Sequence, residues 1–423
     1  MRCLRNMQKK RLSPQWVFLI VMSAALVLFA AAVLFTRGEA LQRILCPDPN
    51  DTFMDYFNCL VPLGIPGFGV DPYPAMARLI FRFLGRTVPT DVYHAYDFYN
   101  RYVIRGTQLG LITIFLVVIA VLGTLHTAFS DMIHGSAMKK TLGFYCLIFS
   151  EPFIFLLERG NIMLLSVALC MVFAWGYDSE KRIIRYVSFL ALAIAAAIKI
   201  YPAVLGFLLI RERRWKDAVI LAVMGLMAFF LPYFLWYDGV SGILQYLQTL
   251  TQFVQSHEGG VYLIGRNDLR AIFDTLTIFT GINFHFIPTI LRFGLFFACV
   301  LVACCPKVPR WKAALLLTSI MVFFSIGATY VLTFLSIPLA FFLKEEKETP
   351  RTAVHYFYAF LFALIFAPLY LPVSLPLSLP QPVCDIRFLH TVIRDVGLYG
   401  MIIVIFLEQL VSLLKKFQFR RSL

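Results

Sequence analysis

Two aspartates four residues apart, Asp51 and Asp55, stand in the stretch CPDPNDTFMDYFNCL. On a helix that spacing puts both on one face. A pair of carboxylates so placed suits a general base or a cation site, and equally a pair of solvated loop acids. In FSEPFIFLLERGNIMLL, Glu158, Arg159 and Asn161 interrupt an apolar region, with Gly160 allowing the chain to bend. Arg159 there is either half of a solvated turn or an anion site. Lys199 lies inside the apolar run AAAIKIYPAVLGFLL. An ionisable group in such a run is costly and marks function unless it snorkels to the surface. Its natural partner is a phosphate or a carboxylate. A fourth group, SHEGGVYLIGRNDLRAIF, carries His257, Arg266, Asn267 and Arg270 in a polar, basic loop. The nine cysteines show no CxxC pair and the histidines do not cluster, so no metal site is indicated. Cys46 and Cys59 fall in one segment and could pair in an oxidising compartment.

The elements that must position these groups follow from bulk composition. Hydrophobic residues make up 60% of the chain and charged residues 15%, against about a quarter in a soluble domain. Mean hydropathy is +0.78. The apolar residues come in blocks, such as 16–35, 215–236 and 396–414, near the roughly 20 residues that cross a bilayer as a helix. The blocks lack the alternation of a membrane barrel, so helices remain the way to satisfy the backbone. The expectation is an all-α polytopic membrane protein forming a single integral membrane domain, 1–423, in the cell membrane. Twelve spans are predicted, near 16–36, 107–126, 142–157, 161–177, 184–199, 202–211, 216–236, 287–304, 312–326, 329–344, 353–371 and 393–414. The first block lacks a small-residue cleavage site and reads as a retained span rather than a signal peptide.

Alternating sides along these spans puts both termini in the cytoplasm. Of the thirteen lysines, twelve then face one side and only Lys199 does not. That bias is the positive-inside pattern, which accounts for the net charge of +14 without any nucleic-acid partner. Two pairs, 184–211 around Pro202 and 312–344 around 325–330, are too short for two full crossings each. Such broken helices need a cavity to receive their backbone groups. The outward segments are a first extracytoplasmic loop, 37–106, with a Gly/Pro-rich stretch at 62–74 and an amphipathic helix at 75–84, and a second, 237–286, with an amphipathic helix at 239–257.

Taken in order, these stretches resemble the family-87 glycosyltransferases, which include polyprenol-phosphate-mannose-dependent mannosyltransferases. The most specific likeness is ERGNIMLLSVALCMVFAWG followed by AAAIKIYPAVLGFLLIRERRWKDA: Gly-Asn after one span, Lys-x-x-Pro, then a basic-aromatic exit. DTFMDYFN is similar to the family's acidic motif in the first loop, DPYPAMARLIF to its Tyr-Pro segment, and GRNDLRAIF to a later polar loop. Ala75 stands where a second proline is common, and the Asn267 region lacks the usual following serine. The likeness covers most of 45–345.

The resemblance implies the multispanning C-type glycosyltransferase fold and an inverting transfer at the extracytoplasmic face. The donor is a polyprenyl-phosphate sugar, mannose-like or another hexose, and the acceptor a glycan or glycolipid. Asp55, or else Asp51, is the general base. Lys199, Arg159 and Arg266 bind the donor phosphate, and Asn58, Tyr73, Asn161, Tyr201, His257 and Asn267 bind substrate. With cations to stabilise the leaving phosphate, neither a metal nor another cofactor is expected. The competing reading is a transporter or flippase of a lipid-linked sugar or small solute, with Lys199 as its site. That class commonly carries internal repeats, and none is evident here.

Overall fold

Residues 12–44, 49–60, 73–86, 100–258, 265–284, 286–325, 329–346, 349–370, 378 and 386–421 are described by a computed structural model. Among the described residues the structure is all-α, which lets polar backbone groups in apolar surroundings satisfy one another. Its helices run α1 (Pro14–Phe35), α2 (Glu39–Ile44), α3 (Met54–Leu60), α4 (Ala75–Gly85), α5 (Asn100–Gly106), α6 (Gln108–Met132) and α7 (Ala137–Ile148). There follow α8 (Glu151–Arg159), α9 (Met163–Gly176), α10 (Arg182–Ile198), α11 (Phe207–Arg211), α12 (Trp215–Trp236) and α13 (Val240–Glu258). The last six are α14 (Leu269–Thr280), α15 (Ile287–Ala303), α16 (Arg310–Phe324), α17 (Ser336–Lys344), α18 (Ala353–Phe366) and α19 (Ile386–Arg421). Three 3₁₀ turns, Pro49–Asp51, Tyr201–Gly206 and Thr329–Leu335, complete the order.

Every predicted apolar segment is helical, but their lengths are unequal. Among the described residues four helices are long and apolar enough to cross a membrane: α1, α6, α12 and the 387–415 stretch of α19. A fifth candidate is the α7–α8 pair, bent by 57°. That bend corrects the expectation of one continuous span at 142–157. Pro152 supplies no N–H to an upstream carbonyl and is favoured in a first turn, and a new helix starts after Ser150. Helices also appear where amphipathic ones were predicted, as α4 and α13. Of the predicted first-loop features, Cys46 and most of the Gly/Pro-rich stretch lie outside the described residues.

The core is apolar, and so is much of the outer surface. α16 is buried from Trp311 to Phe323, and α17 from Ser336 to Leu343. Around this pair the longer helices turn apolar side chains outward: Phe35 is 89% exposed, Leu34 80%, Ile290 73%. Such a rim fits hydrocarbon as its solvent. α9 packs on α10 and α6, α10 on α12, and α18 on both α19 and α1.

Charges collect at the two ends of the bundle. At one end Tyr177 donates to Glu212 at 2.8 Å, Arg310 pairs with Asp178 at 2.6 Å, and Lys312 with Glu408 at 2.5 Å. There the buried Lys139 ammonium also binds Glu346 and the Leu343 carbonyl (3.1 Å), while Ser13 donates to Glu346 at 2.8 Å. This clamp ties α1, α7 and the end of α17 together. At the far end of α10, 17 residues or about 25 Å from Arg182, stands Lys199.

Burial alone would raise the Glu346 carboxyl, but the hydrogen bonds from Lys139 and Ser13 outweigh it and hold the group below its ordinary value. A lowered folded-state value means the clamp's contribution is full above the usual carboxylate range and is lost as pH falls through it. Glu346→Gln is therefore expected to cost about 1–3 kcal/mol at neutral pH by stranding the Lys139 ammonium. Thermal unfolding in detergent should show a lowered midpoint whose gap from wild type closes as pH falls below about 4.

Candidate active site

The site is set by how closely the chain passes α8. The helix ends at Arg159 because Gly160 turns left-handed, at φ +62°. The segment carrying Asp55 lies against that glycine: an added Cβ would stand 3.3 Å from Phe53 Cα and 3.2 Å from Tyr56 Cβ. Phe53 N–H donates to the Glu158 carbonyl at 2.7 Å, and Phe53 itself takes φ +61°, an uncommon conformation for an aromatic residue. Two left-handed residues thus dock the start of α3 onto the end of α8.

That docking brings Asp55 to Arg159 and Asn161. Arg159 Nη2 binds Asp55 Oδ1, and Asn161 Nδ2 donates to Oδ2 at 2.7 Å. The other side of the guanidinium, Nη1, lies 3.3 Å from Asp51 Oδ2. Asp51 and Asp55 do not share a helix face as predicted. Asp51 closes a 3₁₀ turn, Asp55 opens α3, and the left-handed Phe53 lies between. One arginine fork, not helical register, is what unites them. Asn161 is itself fixed, since its Oδ1 accepts from Met163 N–H at 2.9 Å at the start of α9. The amide donors are left to face Asp55 and the Tyr73 hydroxyl, the latter at 3.3 Å.

Tyr73 links this group to the isolated lysine. The Lys199 ammonium sits 4.2 Å from the Tyr73 ring centroid, a cation–π contact. Lys199 ends α10 in an extended conformation. Beneath these polar groups Met54, Phe57, Phe81, Ile162 and Ile198 form an apolar floor. Six predicted residues from four stretches (Asp51 and Asp55, Tyr73, Arg159 and Asn161, and Lys199) therefore come together.

The remaining predicted residues sit elsewhere. Asn58 is exposed on α3, one turn beyond Asp55. The Tyr201 hydroxyl meets Met163 sulfur at 3.9 Å, with its ring edge-on to Phe334. His257 falls in α13, and its side chain lies outside the described residues. Arg266 forks onto Asp268 at 2.8 and 3.0 Å, and Asn267 donates to Asp395 at 2.8 Å. These belong to a second buried network, in which Arg394 binds Glu151 and reaches Thr329 at 3.4 Å. Sequence reasoning missed Glu151, His390, Arg394 and Asp395. Their one signal was polarity inside apolar helices. It also missed Tyr330, which lies within electrostatic reach of both Asp55 and Arg159.

Residues 104–325 match the family model of glycosyltransferase family 87. The chain belongs to glycosyltransferase family 87. It is thus a membrane glycosyltransferase. No curated protein and no solved structure matches it. The family match includes Arg159, Asn161, Lys199, Arg266 and Asn267, whereas Asp51, Asp55, Tyr73 and Tyr330 come from segments on either side.

If the close approach at Gly160 sets the site of this glycosyltransferase, a methyl group there should break it. Gly160→Ala must accommodate both the left-handed backbone, at about 1–3 kcal/mol, and a displaced Phe53. Sugar-transfer turnover is expected to fall roughly a hundredfold, the scale of a 1 Å misplacement. Expression and membrane insertion should change little by immunoblot of the membrane fraction.

Proposed function

We propose that this protein transfers a hexose, mannose-like or another, from a polyprenyl-phosphate donor to a glycan or glycolipid acceptor, with inversion, on the extracytoplasmic face. The observation that carries the reading is the convergence of Asp55, Arg159, Asn161, Tyr73 and Lys199 at the end of the bundle away from the lysine-rich end. In this reading about twelve helices cross the membrane, several of them short and broken as in a C-type fold, and both termini are cytoplasmic. The segments 37–106 and 237–286 then lie outside, within one integral membrane domain.

Asp55 acts as general base. A carboxylate offers about four lone-pair directions, so the contacts from Arg159 and Asn161 orient it and still leave room for an acceptor hydroxyl. As the hydroxyl oxygen attacks the anomeric carbon from the face opposite the phosphate, its proton passes to Asp55. The bond from anomeric carbon to phosphate oxygen breaks, and its electron pair leaves with the lipid phosphate. Lys199 is the cation best suited to that charge. Arg159 already faces two carboxylates and Arg266 forks onto a third, while the Lys199 ammonium stands over the Tyr73 ring, whose hydroxyl meets the Asn161 amide beside Asp55. The chemistry as proposed uses no metal.

The test is transfer of labelled hexose from a polyprenyl-phosphate hexose in membranes overexpressing the protein. Asp55→Asn should lower turnover about 10²–10⁴-fold, the range for losing a general base. Lys199→Met should lower it about 10²–10³-fold, the range for losing a charge-stabilising donor. Full activity in Asp55→Asn would remove it as the base.

A further inference from the structure

The second buried network has no part in that chemistry, yet three of its residues keep polar atoms without a hydrogen-bond partner among the described residues. Arg266 is 6% exposed, Asn267 2% and His390 4%. Among the described residues nothing hydrogen-bonds to Arg266 Nη1, to Asn267 Oδ1 or to His390 Nε2, while His390 Nδ1 faces Glu151 at 3.6 Å. A buried polar atom left unpaired costs about 1–3 kcal/mol, so three such residues in one connected network call for an explanation. The network sets three guanidinium groups among three carboxyl groups. Arg266 and Arg292 both face Asp268, Arg394 binds Glu151, and Asp395 takes the Asn267 amide. A phosphate would want surplus positive charge. What remains here is a donor, an acceptor and an imidazole that can act as either, which suits a neutral hydroxyl-bearing group.

The network is also at the right distance. α8 carries Glu151 in its first turn and Arg159 at its end, about 12 Å apart along the helix. Between them Phe155 packs on Tyr330, ring centroids 5.7 Å apart. Thr329, next to Tyr330, donates to the Gly265 carbonyl at 3.2 Å and so joins the network to that aromatic pair. We infer that Arg266, Asn267 and His390 form a glycan-binding subsite. It would hold the hydroxyl groups of a sugar unit one or two residues from the reacting hydroxyl at Asp55, with Phe155 and Tyr330 between. The inference rests on the glycosyltransferase reading above and removes Arg266 from the phosphate site.

The test needs no turnover, so its failure is distinct from failure of the transfer assay. Full-length protein in nanodiscs is probed with α-linked mannobiose and with maltose by saturation-transfer NMR. Wild type is expected to give saturation of the sugar ring protons for one or both. Arg266→Lys keeps the charge opposite Asp268 but loses the Nη1 donor, and His390→Phe keeps the volume but loses both ring nitrogens. Each should weaken binding about tenfold or more, with the thermal midpoint monitored to verify folding. Lys199→Met, in the donor site, should bind the disaccharide as wild type does. Either no saturation in wild type, or wild-type binding by both folded subsite variants, would overturn the inference. If one variant fails to fold, the other decides.

Discussion

Charge has nowhere to go in hydrocarbon, and that constraint organises the whole molecule. A lone ionised group at membrane depth is expensive, so each must find an opposite charge, a hydrogen-bonding network or the water at a bundle end. Past Lys312, which pairs with Glu408, the α16–α17 centre carries no charged side chain along its buried length. The polar side chains therefore gather at the two ends, in clusters that double as tertiary fasteners. Lys139 with Glu346 fastens three helices at one end, and Arg159 with Asp51 and Asp55 fastens the first loop at the other. In the second case the groups proposed to do chemistry are the same groups that hold the fold.

That double duty explains which residues were legible in the sequence. Lys199, Arg159 and Asn161 are visible because each breaks an apolar run, a local anomaly needing no knowledge of the fold. The Asp51–Asp55 pair was visible for an incorrect reason. Spacing suggested a helix face, and what joins them is an arginine more than a hundred residues downstream. The all-helical character followed from composition, and each apolar block is indeed a helix. Helix length and bending did not follow, because the α7–α8 break depends on one proline at a position that hydropathy averages away.

The second network was illegible for another reason. Arg394 and Glu151 are 243 residues apart, and neither sits in a stretch with a recognisable pattern. A pairing of that kind has no local signature: two polar residues in two apolar helices could meet each other or any third. Likewise, the spacing of Arg266 and Asn267 offered no means of separating a phosphate ligand from a network member. Only the neighbour on each side, Asp268 and Asp395, makes that distinction.

The sequence separations carry a consequence for how the protein is made. Asp55 and Arg159 are 104 residues apart. At a synthesis rate of about 5–20 residues per second, the carboxylate segment emerges roughly 5–20 s before the arginine that will fasten it. The Glu151–Arg394 clasp closes later still, since its two residues are 243 apart. Until then α8 holds Arg159 but is not itself anchored at its other end. The end of the bundle proposed for the chemistry is thus braced by a helix made long after α8, and a chain halted short of Arg394 would carry every residue proposed for the chemistry without that brace.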